Sequence, residues 1–140
     1  MFSKKFDQEF VTKLLKEKEG VRLEFKQRIS SQEKIAKTLS AMANTDGGLV
    51  LIGTSDQRRI TGIDPEEERY MVQAANQAFC IPKASLEVHE ISIDPDSPDA
   101  EEKYILLVVV HRSEGPLVSV LQPDGSHKAY RRVGDQSLGI

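Results

Sequence analysis

Three carboxylates and a lysine have the chemistry of a phosphodiester site. Glu24 and Lys26 lie in the stretch Val21-Arg22-Leu23-Glu24-Phe25-Lys26, where apolar and charged residues alternate. That period of two predicts a half-buried strand with both charges on its solvent face. Glu19 lies an odd five residues before Glu24 and joins that face only if the chain bends at Gly20. Asp56 follows the apolar run 49–52. If the two strands are adjacent and parallel, their C-terminal ends bring Glu24, Lys26 and Asp56 to one rim. Carboxylates without Cys or His suit a hard cation, Mg²⁺ or Mn²⁺. Such an ion would be held by Glu19, Glu24 and Asp56 and would activate water on a phosphodiester. Lys26 would offset charge in the transition state. The same residues also read as a solvated strand face, with Glu24 and Lys26 a structural ion pair.

A second constellation could bind phosphates without cleaving them. Arg22, Lys26 and Arg28 lie along the first strand, and Tyr130-Arg131-Arg132-Val133-Gly134 closes the last one. Arginines bind phosphate and a tyrosine can stack a base. Arg131 and Arg132 must point to opposite faces, so at most one shares a surface with Tyr130. A third candidate is the turn Asn44-Thr45-Asp46-Gly47-Gly48, whose Asn44, Thr45, Gly47 and Gly48 could touch a phosphate. It follows a helix, however, and so faces the negative end of the dipole, whereas phosphate cradles lie at helix N-termini. A tight turn with positive φ, feeding a central strand, explains it better on physical grounds. No standard P-loop is present, and the three histidines have no nucleophile partner in sequence.

The elements that would position these residues can be read from capping and periodicity. Asp7 caps a first helix with Phe10, Val11, Leu14 and Leu15 on its apolar stripe, and Gly20 ends it. Ser30 and Glu33 form a capping box for a second helix carrying Ile35, Leu39 and Met42. The run 49–52 reads as a strand buried on both faces. A turn at 55–57 leads to a return strand over 58–62. Asp64, Pro65 and three glutamates start a third helix, running to about Phe79. Strands are expected at 86–93 and 104–110, with the acidic loop 94–99 between them. Further strands follow at 117–121 and 127–132, joined by a turn at Pro123-Asp124-Gly125. The expected fold is α/β (α+β): one domain over residues 1–140, about three helices and one mixed, twisted sheet of about six strands. Residues 1–14 read as an N-terminal helical extension.

Composition agrees with a folded domain. The 140 residues are 39% hydrophobic and 29% charged, with no Trp and one Cys. That excludes a disulfide framework and a cysteine zinc cluster. The longest apolar run, 105–110, is too short to span a membrane, and the charged N-terminus reads as no signal peptide, so the cytoplasm is expected. The net charge of −3 hides an uneven distribution. Residues 1–40 hold ten Lys/Arg against six Asp/Glu, while residues 64–102 hold two against eleven. A local basic face is therefore compatible with an acidic chain.

Several of these strings together resemble a known family. Glu19-x-x-x-x-Glu24-Phe25-Lys26, then Ala41-Met42-Ala43-Asn44-Thr45-Asp46-Gly47-Gly48-Leu49-Val50-Leu51-Ile52-Gly53, then Asp56 and Ile60-Thr61-Gly62-Ile63, are similar to the Schlafen-type AlbA domain. Gly115-Pro116 and 130–134 match its C-terminal pattern, so the resemblance covers about residues 15–137. It implies a DNA-binding module, in bacteria commonly a transcriptional regulator, also described as a divergent AAA-type ATPase domain. In animal Schlafen proteins the related fold is a metal-dependent RNA endonuclease with two Glu and one Asp. By resemblance these map onto Glu19, Glu24 and Asp56, with Lys26 alongside. Those enzymes build a basic groove from duplicated copies of the fold, so one copy would have to dimerise to match it. The first expectation is a nucleic-acid-binding domain for DNA or RNA, forming a homo-oligomer. The alternative is a Mg²⁺/Mn²⁺-dependent endoribonuclease, and the third is ATP binding.

Overall fold

The two strands that carry the candidate carboxylates do lie side by side. In the computed structural model, which describes residues 6–140, β1 (Leu23–Lys26) pairs in parallel with β2 (Gly48–Ile52). The connection between them is α2 (Gln32–Ala43). The sheet continues with β5 (Lys103–Val110) and β4 (Leu86–Ile93), in the order β1-β2-β5-β4. Alternation along β2 and β5 explains why both strands read as uninterrupted apolar runs. Val50, Ile52, Leu106, Val108 and Val110 face α2 and α3 (Pro65–Phe79), while Leu51, Ile105 and Leu107 face α1 (Gln8–Leu14). Both sides of the sheet are therefore core.

A second, antiparallel sheet packs on the far side of α2. Its order is β3-β6-β7-β8: β3 (Cys80–Ile81), β6 (Ser119–Leu121), β7 (His127–Val133) and β8 (Gln136–Gly139). Val118, Val120 and Tyr130 turn inward and join Ile35, Leu39 and Met42 of α2 in the main core. The α+β class and three helices agree with the sequence. The strands divide into two sheets of four, however, instead of forming one sheet of about six. Among the described residues no helix is long and apolar enough to cross a membrane.

Local chemistry explains the displaced boundaries. Asp7 and Asp64 cap their helices as expected, accepting from the Phe10 amide and from the Glu66 and Glu67 amides. Gly20 does not end α1, which stops at Leu14. The Arg58 guanidinium donates to the carbonyls of Leu15 at 3.4 Å and Glu17 at 2.5 Å, so a side chain satisfies the helix exit. The cap of α2 is Ser31, not Ser30: its hydroxyl accepts from the Lys34 amide at 3.2 Å. The Ile29 amide just upstream donates to Glu68 on α3 at 2.6 Å, which fixes where the chain enters the helix. The expected return strand over 58–62 is reduced to a single bridge between Thr54 and Ile60. Arg58 has φ 63°, in the left-handed region, and cannot continue an extended run.

Candidate nucleic-acid interface

Glu24 sits where the two sheets meet, and its charge is already answered. Arg132 on β7 is buried, with its side chain only 1% exposed. Its Nη2 donates to Glu24 Oε1 at 2.6 Å, its Nε to the Gly20 carbonyl at 3.1 Å, and its Nη1 to the Ser137 hydroxyl at 3.2 Å. One guanidinium thus ties β1, β7 and β8 together. Lys26 Nζ lies 3.8 Å from Glu24 Oε2. The chain does bend at Gly20, and Glu19 reaches back to accept from the Phe25 amide at 3.1 Å. Burial pushes the Glu24 carboxyl above its ordinary value; the Arg132 hydrogen bond and the Lys26 charge pull it down, and Glu19 pushes it up.

This arrangement does not fit a divalent ion. Asp56 is exposed in the turn after β2, and its carboxylate has no hydrogen bond or ion pair among the described residues. No three His, Cys, Asp or Glu side chains among the described residues form a group that could hold a metal. Two cations, Arg132 and Lys26, already face Glu24. Little net negative charge remains to attract a third.

The Gly-rich turn is likewise occupied by protein. Asn44 Nδ2 donates to the carbonyls of Val118 and Tyr130, both at 2.9 Å, and its Oδ1 accepts from the Val118 amide at 2.8 Å. Thr45 Oγ1 donates to the Ala41 carbonyl at 2.7 Å and accepts from the Arg132 amide at 2.9 Å. These two side chains clamp the end of α2 to β6 and β7. Gly47 has φ +73°, and a Cβ there would lie 2.7 Å from the Val110 carbonyl oxygen. A Cβ on Gly48 would lie 2.9 Å from the Arg22 carbonyl oxygen. Both glycines admit neighbouring backbone, not a phosphate. Neither carries the expectation of ATP binding.

The remaining candidates separate by exposure. Tyr130 and Arg132 share the inward face of β7 and are buried, so neither can meet a nucleic acid there. Alternation turns Arg131 outward, where it is exposed. Arg22 is exposed but lies 3.8 Å from Asp46, which partly neutralises it. Lys26 and Arg28 remain, and the fold adds three cations that the sequence reading missed. Lys26, Arg28 and Lys34 line one small cavity with Ser30 and Ser31 at the start of α2. Lys37 follows Lys34 by three residues, on the same helix face. The ammonium groups of Lys37 and of Lys128 on β7 lie 5.7 and 5.6 Å from the centre of the Tyr130 ring. These contacts link Arg28, Lys34, Lys37 and Lys128 into one basic track, with Lys26 at its base. None of the four forms an ion pair among the described residues. Exposed Glu33, one turn before Lys37, pairs with neither lysine of the helix. The signal available in the sequence was the i, i+3 pair of lysines on the polar side of α2. Lys128 arrives only through the packing of β7.

Comparison with known proteins agrees with this architecture. The sequence model of the family described as Schlafen, AlbA_2 matches residues 19–140. The chain belongs to the Schlafen AlbA_2 family. The match begins at Glu19 and takes in both sheets, α2 and α3, leaving α1 outside it. A search of curated proteins finds no match. Among solved structures the fold is similar to the DIP2311 protein from Corynebacterium diphtheriae, with a TM-score of 0.52 and 17% identity. The similarity covers 86% of this chain and 25% of that one, so the AlbA_2 fold here spans about a quarter of that neighbour.

Proposed function

We propose that this domain is a nucleic-acid-binding module of regulatory, transcription-associated use, gripping the phosphate backbone and leaving it intact. The observation that carries the reading is the track of Arg28, Lys34, Lys37 and Lys128, four cations without carboxylate partners on an otherwise acidic chain. Membership of the Schlafen AlbA_2 family supports a nucleic-acid-related role. The acidic loop after β4 lies on another element, and Glu68 in the first turn of α3, which comes next to Arg28, is buried and accepts from the Ile29 amide. Tyr130, the aromatic on the track, is buried against the two lysines and offers no platform for a base. Recognition therefore falls to phosphates, which favours binding with little sequence preference. Engagement of Glu24 by Arg132 supports binding without hydrolysis.

Fluorescence anisotropy with labelled duplex and single-stranded probes at low salt tests this. The domain should bind both at micromolar concentration, and Lys34→Gln/Lys37→Gln/Lys128→Gln should weaken binding about tenfold or more while keeping the fold. An unaltered affinity in that variant, or no binding by the parent, overturns the proposal. Incubation of labelled RNA with Mn²⁺ should leave it uncut.

A further inference from the structure

The first sheet ends in a long strand whose outer side is unpaired. β4 stands last in the order β1-β2-β5-β4 and runs for eight residues. Backbone groups of an antiparallel strand turn alternately toward and away from its neighbour. The His111 amide donates to the Ser85 carbonyl at 2.9 Å, so odd-numbered residues of β4 bond to β5 and even-numbered ones turn outward. The Arg69 guanidinium, donating to the Val88 carbonyl at 3.3 Å from outside the sheet, agrees with this. The outward amides of Leu86, Val88 and Glu90 have no acceptor among the described residues. Such an edge is a template for a further strand.

A groove runs beside that edge. Between β4 and α3 lies a cavity of about 370 Å³, with Leu86 and Val88 on its floor, Gln73 and Gln77 on its helical wall, and Lys83 at the end where β4 begins. Buried Asn76 fixes that end: its Nδ2 donates to the Ala84 carbonyl and its Oδ1 accepts from the Ala84 amide, both at 2.9 Å. The groove is thus organised before anything enters it. Gln73 and Gln77 are exposed, and their amide groups bond to nothing among the described residues. At the far end Arg69 is already paired with Glu90 at 3.1 Å. Lys83 has no ion-pair partner among the described residues.

This chemistry selects the occupant. Outward amides and carbonyls call for an extended backbone, and the apolar floor calls for an apolar side chain at alternate positions. A strand added antiparallel to β4 runs toward Lys83 and finishes beside it. The unpaired cation then meets a carboxylate at the strand's end in a charge-assisted contact. We propose that the groove between β4 and α3 takes the C-terminal segment of a partner protein as an added antiparallel strand, its terminal carboxylate on Lys83 and an apolar residue over Leu86 and Val88. The proposal does not rest on the nucleic-acid reading, whose cations lie on other elements.

An immobilised library of short peptides with free C-termini, followed by fluorescence anisotropy on the best members, tests it. Peptides with an apolar terminal residue should bind at micromolar concentration, and their C-terminally amidated counterparts about tenfold or more weakly. Lys83→Glu, at an exposed position, should weaken the free acids as much and remove the difference between the two forms. Lys34→Gln/Lys37→Gln should bind the peptides as the parent does, which separates failure here from failure of the nucleic-acid reading. Hydrogen exchange of the parent with peptide should slow at the Leu86, Val88 and Glu90 amides, a readout that stands even if Lys83→Glu does not fold. No library member bound by the parent, equal affinity for free and amidated peptides, or protection away from β4 overturns the proposal.

Discussion

Replacing Arg132 with methionine removes the cation from beneath Glu24 while keeping most of the side chain's bulk. Glu24 is then left with Lys26 at 3.8 Å and with Glu19 pushing against it. Removing one partner of a buried pair costs about 3–5 kcal/mol. The Glu24 side chain retains 16% exposure, and the freed Gly20 carbonyl can be rehydrated, so the lower end, about 3 kcal/mol, is expected. For a domain of this size that lowers the melting temperature by roughly 10 °C. Glu24→Gln keeps an oxygen for the guanidinium and should cost only about 1 kcal/mol. The pH dependence adds a sharper test. A carboxyl raised above its ordinary 4.5 contributes stability that is full below that value and is lost as pH rises through the folded-state value. Without Arg132 the folded-state value rises further, so Arg132→Met should lose more stability at pH 8 than at pH 5. Glu24→Gln, which cannot ionise, should show neither decline. Urea unfolding of the three proteins across pH measures all of this. A loss below about 1 kcal/mol for Arg132→Met, or one independent of pH, refutes the account of the joint between the sheets.

Four other perturbations have defined outcomes. Gly48→Val places a Cβ against the Arg22 backbone in the parallel pair β1–β2 and should cost more than about 1 kcal/mol in thermal unfolding; Gly47→Ala should match it, because it adds positive-φ strain to the contact with Val110. Asn44→Ala strips partners from the Val118 amide and from the Val118 and Tyr130 carbonyls, and should cost about 2–3 kcal/mol by the same measurement. Burial pushes the Cys80 thiol up to about 12, so a thiol reagent at pH 8 should label it only as fast as the domain unfolds.

What the sequence disclosed was local. Asp7 and Asp64 announce their helices because a side-chain oxygen beside free amides acts within three residues. The parallel neighbours β1 and β2 could be proposed from one alternating and one continuous apolar run. β3 and β8 could not be read. β3 is two residues long, and Gln136-Ser137-Leu138-Gly139 is a strand only because β7 offers it an edge. Arg132 looked like a surface charge, since arginine is rarely buried without a partner. Its partners, Gly20 and Glu24, lie more than a hundred residues away. Asn44 and Thr45 looked like a phosphate turn for a related reason: their acceptors on β6 and β7 are set by the packing of the second sheet. Of the nucleic-acid residues expected from sequence, Arg22, Lys26, Arg28 and Arg131 keep exposed or half-exposed positions, while Tyr130 and Arg132 do not.

The salt dependence of duplex binding tests the central claim most directly. Neutralising Z phosphates gives a slope of log affinity against log salt of about −0.9Z. Four contacts from Arg28, Lys34, Lys37 and Lys128 predict a slope of about −3.6 for the parent, falling to about −0.9 when the three lysines become glutamine. Equal slopes for the two proteins would place the phosphates elsewhere and contradict the basic track as the interface.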